Sequence, residues 1–464
     1  MKITMQLAEF VAETDYPQLP PKAIAAAKRS ITDCTGTAIA GSLEPVAKKV
    51  AAVVKKLKGV PQASVIGAGF KTSSLDAALA NGAAAHALDY DDVCSTITEN
   101  PVTIHLTAAV LPALLALGEE VKASGREIIA AYVLAYEVAS RLANAMGPDY
   151  GDDLGWHPTA PLGTVAAAAG AAKLLKLSPR KTAIAIGIAT SQAAGIRQNF
   201  GTMVKPFHMG NASRSGILSA RLAREGFTAA LDSLEGRYGF CHAFSGGRGY
   251  DVKKIVEDLG NPFQVVAPGP TIKLYPCCGS AHGALNAFFS LLQKHDFEPE
   301  KVHSIDVTVP FDPPRSLIHD NPKNALEGKF SLQYCLAAAL VDRKVGLSSF
   351  ADNQVLRPEV KKLFSKIKMA RQPGMEGKPS WQVPEYVVSV KMENGKTYSE
   401  KARVPFIAPI QIATQQEMAD KYHDCASLVL SSDDVTASLN ILETLEKTPD
   451  ISRLTGIIGK PKAK

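Results

Sequence analysis

What the sequence lacks narrows the field first. Its longest apolar run, Leu106 to Leu117, is too short to span a bilayer and contains Pro112. The stretch Met1-Lys-Ile-Thr-Met-Gln-Leu-Ala-Glu9 has no apolar core of the kind a secretory signal needs. Seven cysteines, at 34, 94, 241, 277, 278, 335 and 425, are scattered with no even framework, which fits a reducing compartment. A cytoplasmic protein with no membrane partner is therefore expected. The net charge of +6 is dispersed, and no Lys/Arg block or aromatic-basic interleaving marks a nucleic-acid surface, so no nucleic acid is expected either. Walker A and Gly-x-Ser-x-Gly motifs are missing. Gly67-Ala-Gly69 and Gly246-Gly-Arg-Gly249 lack the strand–helix setting of a dinucleotide site. Cys and His do not recur at finger or ribbon spacing, and nothing resembles an iron–sulfur framework, so neither metal nor cofactor is expected.

What is present reads as a soluble globular chain. Its 464 residues are 46% apolar and 21% charged, enough for two domains with separate cores. The first half is helix after helix. Helical spacing or capping signals predict helices over 7–13, 20–39, 45–57, 76–88, 125–146, 164–177 and 182–196, with a brief strand near 63–67. After Asn261 the pattern changes. Prolines crowd 262–276, and period-two alternation puts His303, Ile305, Val307 and Val309 on one strand face. Strands over 386–393 and 396–404 flank Asn394-Gly395, a strong hairpin signal. Helices are predicted at 280–294, 330–341, 358–366, 415–428 and 434–446. The fold class is mainly α with a second α+β domain. A large multi-helix bundle is built from both ends of the chain (1–267 and 404–464), and a smaller α+β domain covers 268–403.

Four clusters carry chemistry. In Gly201-Thr-Met-Val-Lys-Pro-Phe-His-Met-Gly-Asn-Ala212, Lys205 and His208 lie where Pro206 and the capping residues Asn211 and Ser213 suggest a helix start. Backbone donors and positive charge would there favour a carboxylate or phosphate, although a solvated basic turn fits the same pattern. His86-Ala-Leu-Asp-Tyr-Asp-Asp92 sets three carboxylates in four residues, either for acid/base work or metal capture, or as a solvated acidic turn. Trp156-His157-Pro158 holds a histidine at a helix entrance, where proline keeps it out of helical geometry and its ring free to face a cleft. In Lys273-Leu-Tyr-Pro-Cys-Cys-Gly-Ser-Ala-His282, Cys278 precedes a predicted helix that would lower a thiol pKa, and His282 follows four residues on.

These motifs, with Gly155-Trp-His-Pro-Thr159 and Lys329-Phe-Ser-Leu-Gln-Tyr-Cys335, resemble in order those of the MmgE/PrpD family over nearly the whole chain. That family includes 2-methylcitrate dehydratase, cis-aconitate decarboxylase and iminodisuccinate epimerase. The resemblance implies a helical domain with an α+β lid, an active site between them, a homodimer, and no metal or organic cofactor. It implies Asp89, His105, His157, Lys205 and Lys273 as catalytic residues. Lys205, Lys273, His208, Asn211, Cys278 and His282 follow as substrate contacts. Cys94 to Ile104 lengthens the loop before His105, and Leu106 replaces the proline that usually follows that histidine. Val93 stands where the decarboxylase has threonine, and Cys278 where it has histidine.

The implied substrate is a small di- or tricarboxylate with an acidic C–H beside a carboxylate. Lys205, Lys273 and an Asn211 helix terminus would hold its charge, and His157, with a pKa near neutrality, would move the proton. A 2-methylcitrate dehydratase-like hydro-lyase is the leading expectation. Epimerase or decarboxylase chemistry is the second, and a non-catalytic carboxylate-binding protein the third. Cys278 is expected to line the pocket and not to act as a nucleophile.

Overall fold

The computed structural model describes residues 2–95, 102–146, 150–151, 154–314, 316–374, 385–403 and 413–461. They divide into two compact units, Met1–Ile272 with Gln411–Lys464, and Lys273–Ile410.

The first unit is helical. Its elements are α1 (Ile3–Glu13), α2 (Pro21–Gly41), α3 (Pro45–Leu57), α4 (Ser74–Ala85), α5 (Leu106–Val121), α6 (Gly125–Ala145), α7 (Thr159–Leu174), α8 (Pro179–Thr190), α9 (Val204–Arg224) and the short α10 (Phe240–Phe244). Proline in the first turn starts α2, α3 and α8, where a missing N–H breaks no hydrogen bond. Ser73, Ser124 and Ser178 cap α4, α6 and α8 by accepting the backbone N–H three residues on. Two small antiparallel pairs interrupt the helices. One joins β1 (Ala63–Ser64) to β2 (Lys71–Thr72), the other β3 (Cys94–Ser95) to β4 (Thr103–Ile104).

The core runs through α4, α5, α6, α7 and α9. Ile128, Val133 and Leu142 of α6 are fully buried, and each such side chain contributes about 1.5–3 kcal/mol. Periodicity assigns no element to the run beginning at Leu106, yet it forms α5, with Leu106 to Glu119 buried and Pro112 inside the helix. A helix that is apolar on every side shows no stripe, and its all-round burial offsets the hydrogen bond lost at Pro112. The alanine-rich α7 begins at Thr159, before the predicted start, because Pro158 occupies its N-cap.

The second unit contains α11 (His282–Lys294), α12 (Ala325–Gly328), α13 (Leu332–Asp342), α14 (Asp352–Val355) and α15 (Pro358–Lys361), with strands β5 (Val302–Val309), β6 (Ile367–Arg371), β7 (Glu385–Met392) and β8 (Thr397–Arg403). The sheet order is β6-β5-β7-β8, with β5 and β6 parallel and the other pairs antiparallel. Tyr386, Val388 and Val390 alternate on the buried face, and Gly395 takes φ 84° in the Asn394-Gly395 turn. His303 is exposed, not aligned with buried Ile305, because the β5–β7 register shifts between Val302 and Ser304.

The chain returns to the first unit through α16 (Gln415–Ala426), α17 (Ser432–Glu443) and α18 (Ser452–Ile458), and α16 packs on α2. Mainly α with a separate α+β unit is the observed fold class. Among the described residues, no helix is long and apolar enough to cross a membrane.

Candidate active site

Four helix ends meet in the first unit, and two glycines make the meeting possible. A Cβ on Gly82 of α4 would lie 2.6 Å from the Cα of Gly210 in α9, and one on Gly210 would collide with the Leu79 carbonyl oxygen. With hydrogen at both positions the helices cross at backbone contact. That crossing brings the loop after α4 against the first turns of α9, which carry Lys205 and His208. His105 is the N-cap of α5, and its N–H donates to Thr159 Oγ1 of α7 at 3.1 Å. His157, just before α7, donates its backbone N–H to Gly195 O at 2.9 Å. Three of the four ends are N-termini, whose aligned dipoles favour negative charge.

The loop holds the centre of the site. Asp89 takes φ 51°, left-handed for a non-glycine residue, and its Oδ1 lies 2.7 Å from Lys205 Nζ in a buried ion pair. The Nε2 atoms of His86 and His105 approach the same oxygen at 3.9 and 3.8 Å. Their other ring nitrogens meet one carboxylate: Asp91 Oδ1 is 2.8 Å from His86 Nδ1, and Oδ2 is 3.2 Å from His105 Nδ1. An ionised carboxylate only accepts, so the His86 Nδ1 bonded to it carries that ring's proton; the second Asp91 oxygen faces His105 Nδ1 and favours a proton there too, which leaves both Nε2 atoms turned toward Asp89. Burial opposes charge on Asp91, but its two histidine partners outweigh that and hold its carboxyl well below the usual range. His86, fully buried, is pushed down to about 4 by burial despite Asp91, with the Lys205 charge adding to the fall. His105 keeps 12% of its side chain exposed while His86 keeps none, so His105 is the imidazole an incoming molecule can reach. Behind it, burial and the Asp33 charge push Asp92 up to about 8, and Asp92 Oδ2 accepts from Thr107 Oγ1 at 2.8 Å. The loop thus holds one carboxylate for Lys205, one for the histidines and one neutral acid that anchors α5.

His157 and His208 form a second pair, with 3.0 Å between their Nδ1 atoms. One must donate and the other accept, so the two rings share a single proton there. Phe200 stands edge-on to His157 at 4.9 Å and lies 5.3 Å from Lys205 Nζ. The near-neutral pKa suggested for His157 does not fit this setting. Burial, then Lys205 and His86, push it well below its ordinary value, and His208 falls to about 4 from burial and Lys205. Both rings are neutral at physiological pH.

Two further expectations change. The helix after Gly201 starts at Val204 with no side-chain cap, so Lys205 and Pro206 sit in its first turn, where proline is tolerated, and do not precede it. Asn211 is half-buried mid-helix and supplies no helix terminus to a ligand. In the second unit, Lys273 Nζ donates to Cys277 O at 3.1 Å, and His282 Nε2 lies 3.3 Å from the same oxygen. Cys278 caps a short 3-10 turn (Gly279–Ala281), and His282 is the first residue of α11, so the helix begins later than predicted.

Asp89, His105, His157, Lys205 and His208 therefore come together in one unit, while Lys273, Cys278 and His282 form a group in the other. Sequence reasoning quotes His86 and Asp91 within the acidic motif but gives neither a role. The three carboxylates within four residues were the available signal. His86, Asp89, Asp91 and His105 also have the composition of a metal site, with ligand atoms within 4.8 Å of one another. Lys205 works against that use, because its ammonium already lies 2.7 Å from the Asp89 oxygen a cation would need.

Similar proteins align along nearly the whole chain. The chain is 29% identical over 484 residues to the cis-aconitate decarboxylase-like protein oryM of Aspergillus oryzae, covering 98% of this chain and 97% of that protein. It is 27% identical over 469 residues to the cis-aconitate decarboxylase of Mus musculus, covering 99% and 94%. The Homo sapiens cis-aconitate decarboxylase is 28% identical over 468 residues, covering 99% and 95%. The MmgE/PrpD N-terminal domain matches residues 5–253 and the MmgE/PrpD C-terminal domain residues 275–447. With both domains matched in order along one chain, this protein belongs to the MmgE/PrpD family.

Proposed function

We propose that this chain is a lyase acting on a small di- or tricarboxylate without a cofactor, and that its leading reaction is loss of carbon dioxide from a cis-aconitate-like substrate. The observation that carries the reading is Asp91, which turns two imidazoles so that their Nε2 atoms face the Asp89–Lys205 pair. Decarboxylation breaks the bond to a carboxylate carbon, leaves the electron pair on an allylic carbon, and ends when a proton is delivered there. Lys205 would offset the developing negative charge, and His105, held by Asp91, would take a proton from solvent at Nε2 and deliver it to that carbon. Neutral His157 and His208 would donate or accept hydrogen bonds to the substrate.

The relatives, cis-aconitate decarboxylases by name, move the leading reaction from water loss, favoured by sequence, to carbon dioxide loss. Dehydration of a 2-methylcitrate-like substrate is the second reading. Its support is Val93, a buried apolar residue where the decarboxylase has threonine. The same base would take a carbon-bound proton, while an acid protonated the departing hydroxide.

Proton NMR in deuterated water with cis-aconitate, 2-methylcitrate, citrate and iminodisuccinate tests the choice. Decarboxylation of cis-aconitate yields a five-carbon unsaturated diacid carrying deuterium at the protonated carbon. Water loss from 2-methylcitrate alone would replace that reading with the second, and exchange without net conversion would indicate epimerisation. Saturable binding with no turnover or exchange would sink all three.

A further inference from the structure

Helix α16 reaches the underside of the acidic loop from a point distant in sequence. It crosses α2 closely at Gly36, where a Cβ would lie 3.1 Å from Tyr422 Cδ2. One turn back along α2 is Asp33, and Lys421 of α16 places its Nζ 2.6 Å from Asp33 Oδ1. The same ammonium donates to the Tyr90 carbonyl oxygen at 2.8 Å and lies 3.8 Å from the centre of the Tyr90 ring. These side chains are 7% and 0% exposed for Lys421 and Asp33. An ammonium held by Asp33 therefore grips the loop at Tyr90, the residue between Asp89 and Asp91.

We propose that Lys421 is a positioning residue for the candidate site. Through the Tyr90 carbonyl and Asp33 it holds Asp89 in its left-handed conformation and Asp91 beneath the two imidazoles. A non-glycine residue pays for that conformation, so its surroundings must impose it. Stability alone does not call for this arrangement, because apolar residues commonly replace a buried ion pair at no loss. An ammonium is suited to it by direction: its three N–H donors can serve a carboxylate and a carbonyl while its charge faces the ring. The proposal rests on the catalytic reading of the cluster given above.

Lys421→Met alone would strand the buried Asp33 charge and risk unfolding. The test therefore uses the full chain carrying Asp33→Asn with Lys421→Met, which leaves no buried charge unpaired, beside Lys421→Arg. The double variant should fold, and its backbone amides from Asp89 to Asp92 should exchange with deuterium about tenfold or more faster than in wild type. Its kcat should fall about 10- to 100-fold with KM changed less than about threefold, and Lys421→Arg should recover most of the loss. A folded double variant with unchanged loop exchange, or with wild-type kcat, would overturn the proposal. If wild type turned over none of the four polycarboxylates, the functional reading would fall separately, and the exchange measurement would still decide the role of Lys421.

Discussion

Replacing Asp91 by asparagine perturbs one atom and asks the most of the site. The carboxylate accepts from His86 Nδ1 at 2.8 Å and sets its second oxygen 3.2 Å from His105 Nδ1. An amide offers one carbonyl oxygen and one NH2 group, so it can serve only one ring as before. The other ring meets a donor, must present a lone pair at Nδ1, and moves its proton to Nε2. If that ring is His105, the nitrogen facing Asp89 stops being a base. Mis-setting the tautomer of a catalytic histidine costs about 10⁴ in the serine-protease triad, and the amide has two ways to settle, so a fall of about 10² to 10⁴ in kcat is expected. At about 1.4 kcal/mol per decade, this is roughly 3 to 5 kcal/mol of transition-state stabilisation. Substrate affinity should change little, because Asp91 faces the rings and not the ligand. Initial rates by proton NMR, with titration calorimetry for binding, read the two effects separately. An Asp91→Asn protein with kcat within about threefold of wild type and an unaltered pH profile would refute the tautomer argument.

Other consequences are equally direct. Lys205→Met removes the ammonium 2.7 Å from Asp89 and should cost both polycarboxylate affinity and about 3–5 kcal/mol of stability. Adding Asp89→Asn should restore much of the melting temperature but not the affinity seen by calorimetry. Gly210→Ala drives a methyl into the Leu79 carbonyl and should destabilise by about 1–3 kcal/mol or more in urea titrations. His86 and His208 are lowered to about 4, by burial first and then, for His208, by Lys205. Because the unfolded chain protonates both first, stability should decline as pH falls below about 6.5 and level off near about 4. His208→Gln should flatten part of that slope in denaturant midpoints measured across pH. Exhaustive chelation should leave turnover intact, checked by elemental analysis of the active protein.

Much of this was legible because local rules governed it. Ser73 caps α4 and proline stands in the first turn of α2, and these are the signals from which both starts are predicted. The strands flanking Asn394-Gly395 follow from turn chemistry in the same way. Elsewhere a local rule pointed the wrong way. Pro206 reads as a stop but lies in a first turn, and β6 escapes notice because its partner β5 is parallel and distant in sequence. The site divides along the same line. Lys205, His157 and Asp89 stand out by residue type and by the family motif. The role of Asp91 depends on which way a loop turns after a left-handed Asp89, and no periodicity encodes that. The pKa of His157 was misjudged because burial on every side is a property of the assembled helices.

The small pairing of β3 with β4 bears on how such a site diversifies. Cys94 sits opposite Ile104 and Ser95 opposite Thr103, while Val93 exchanges backbone hydrogen bonds with Thr271 at 3.0 and 2.7 Å. The insertion before His105 thus springs from a clasp whose two sides are already fastened. The histidine one residue beyond the clasp is held by β4 on one side and by α5, whose N-cap it is, on the other. Val102, buried in the core one residue before β4, pins the returning strand a second time.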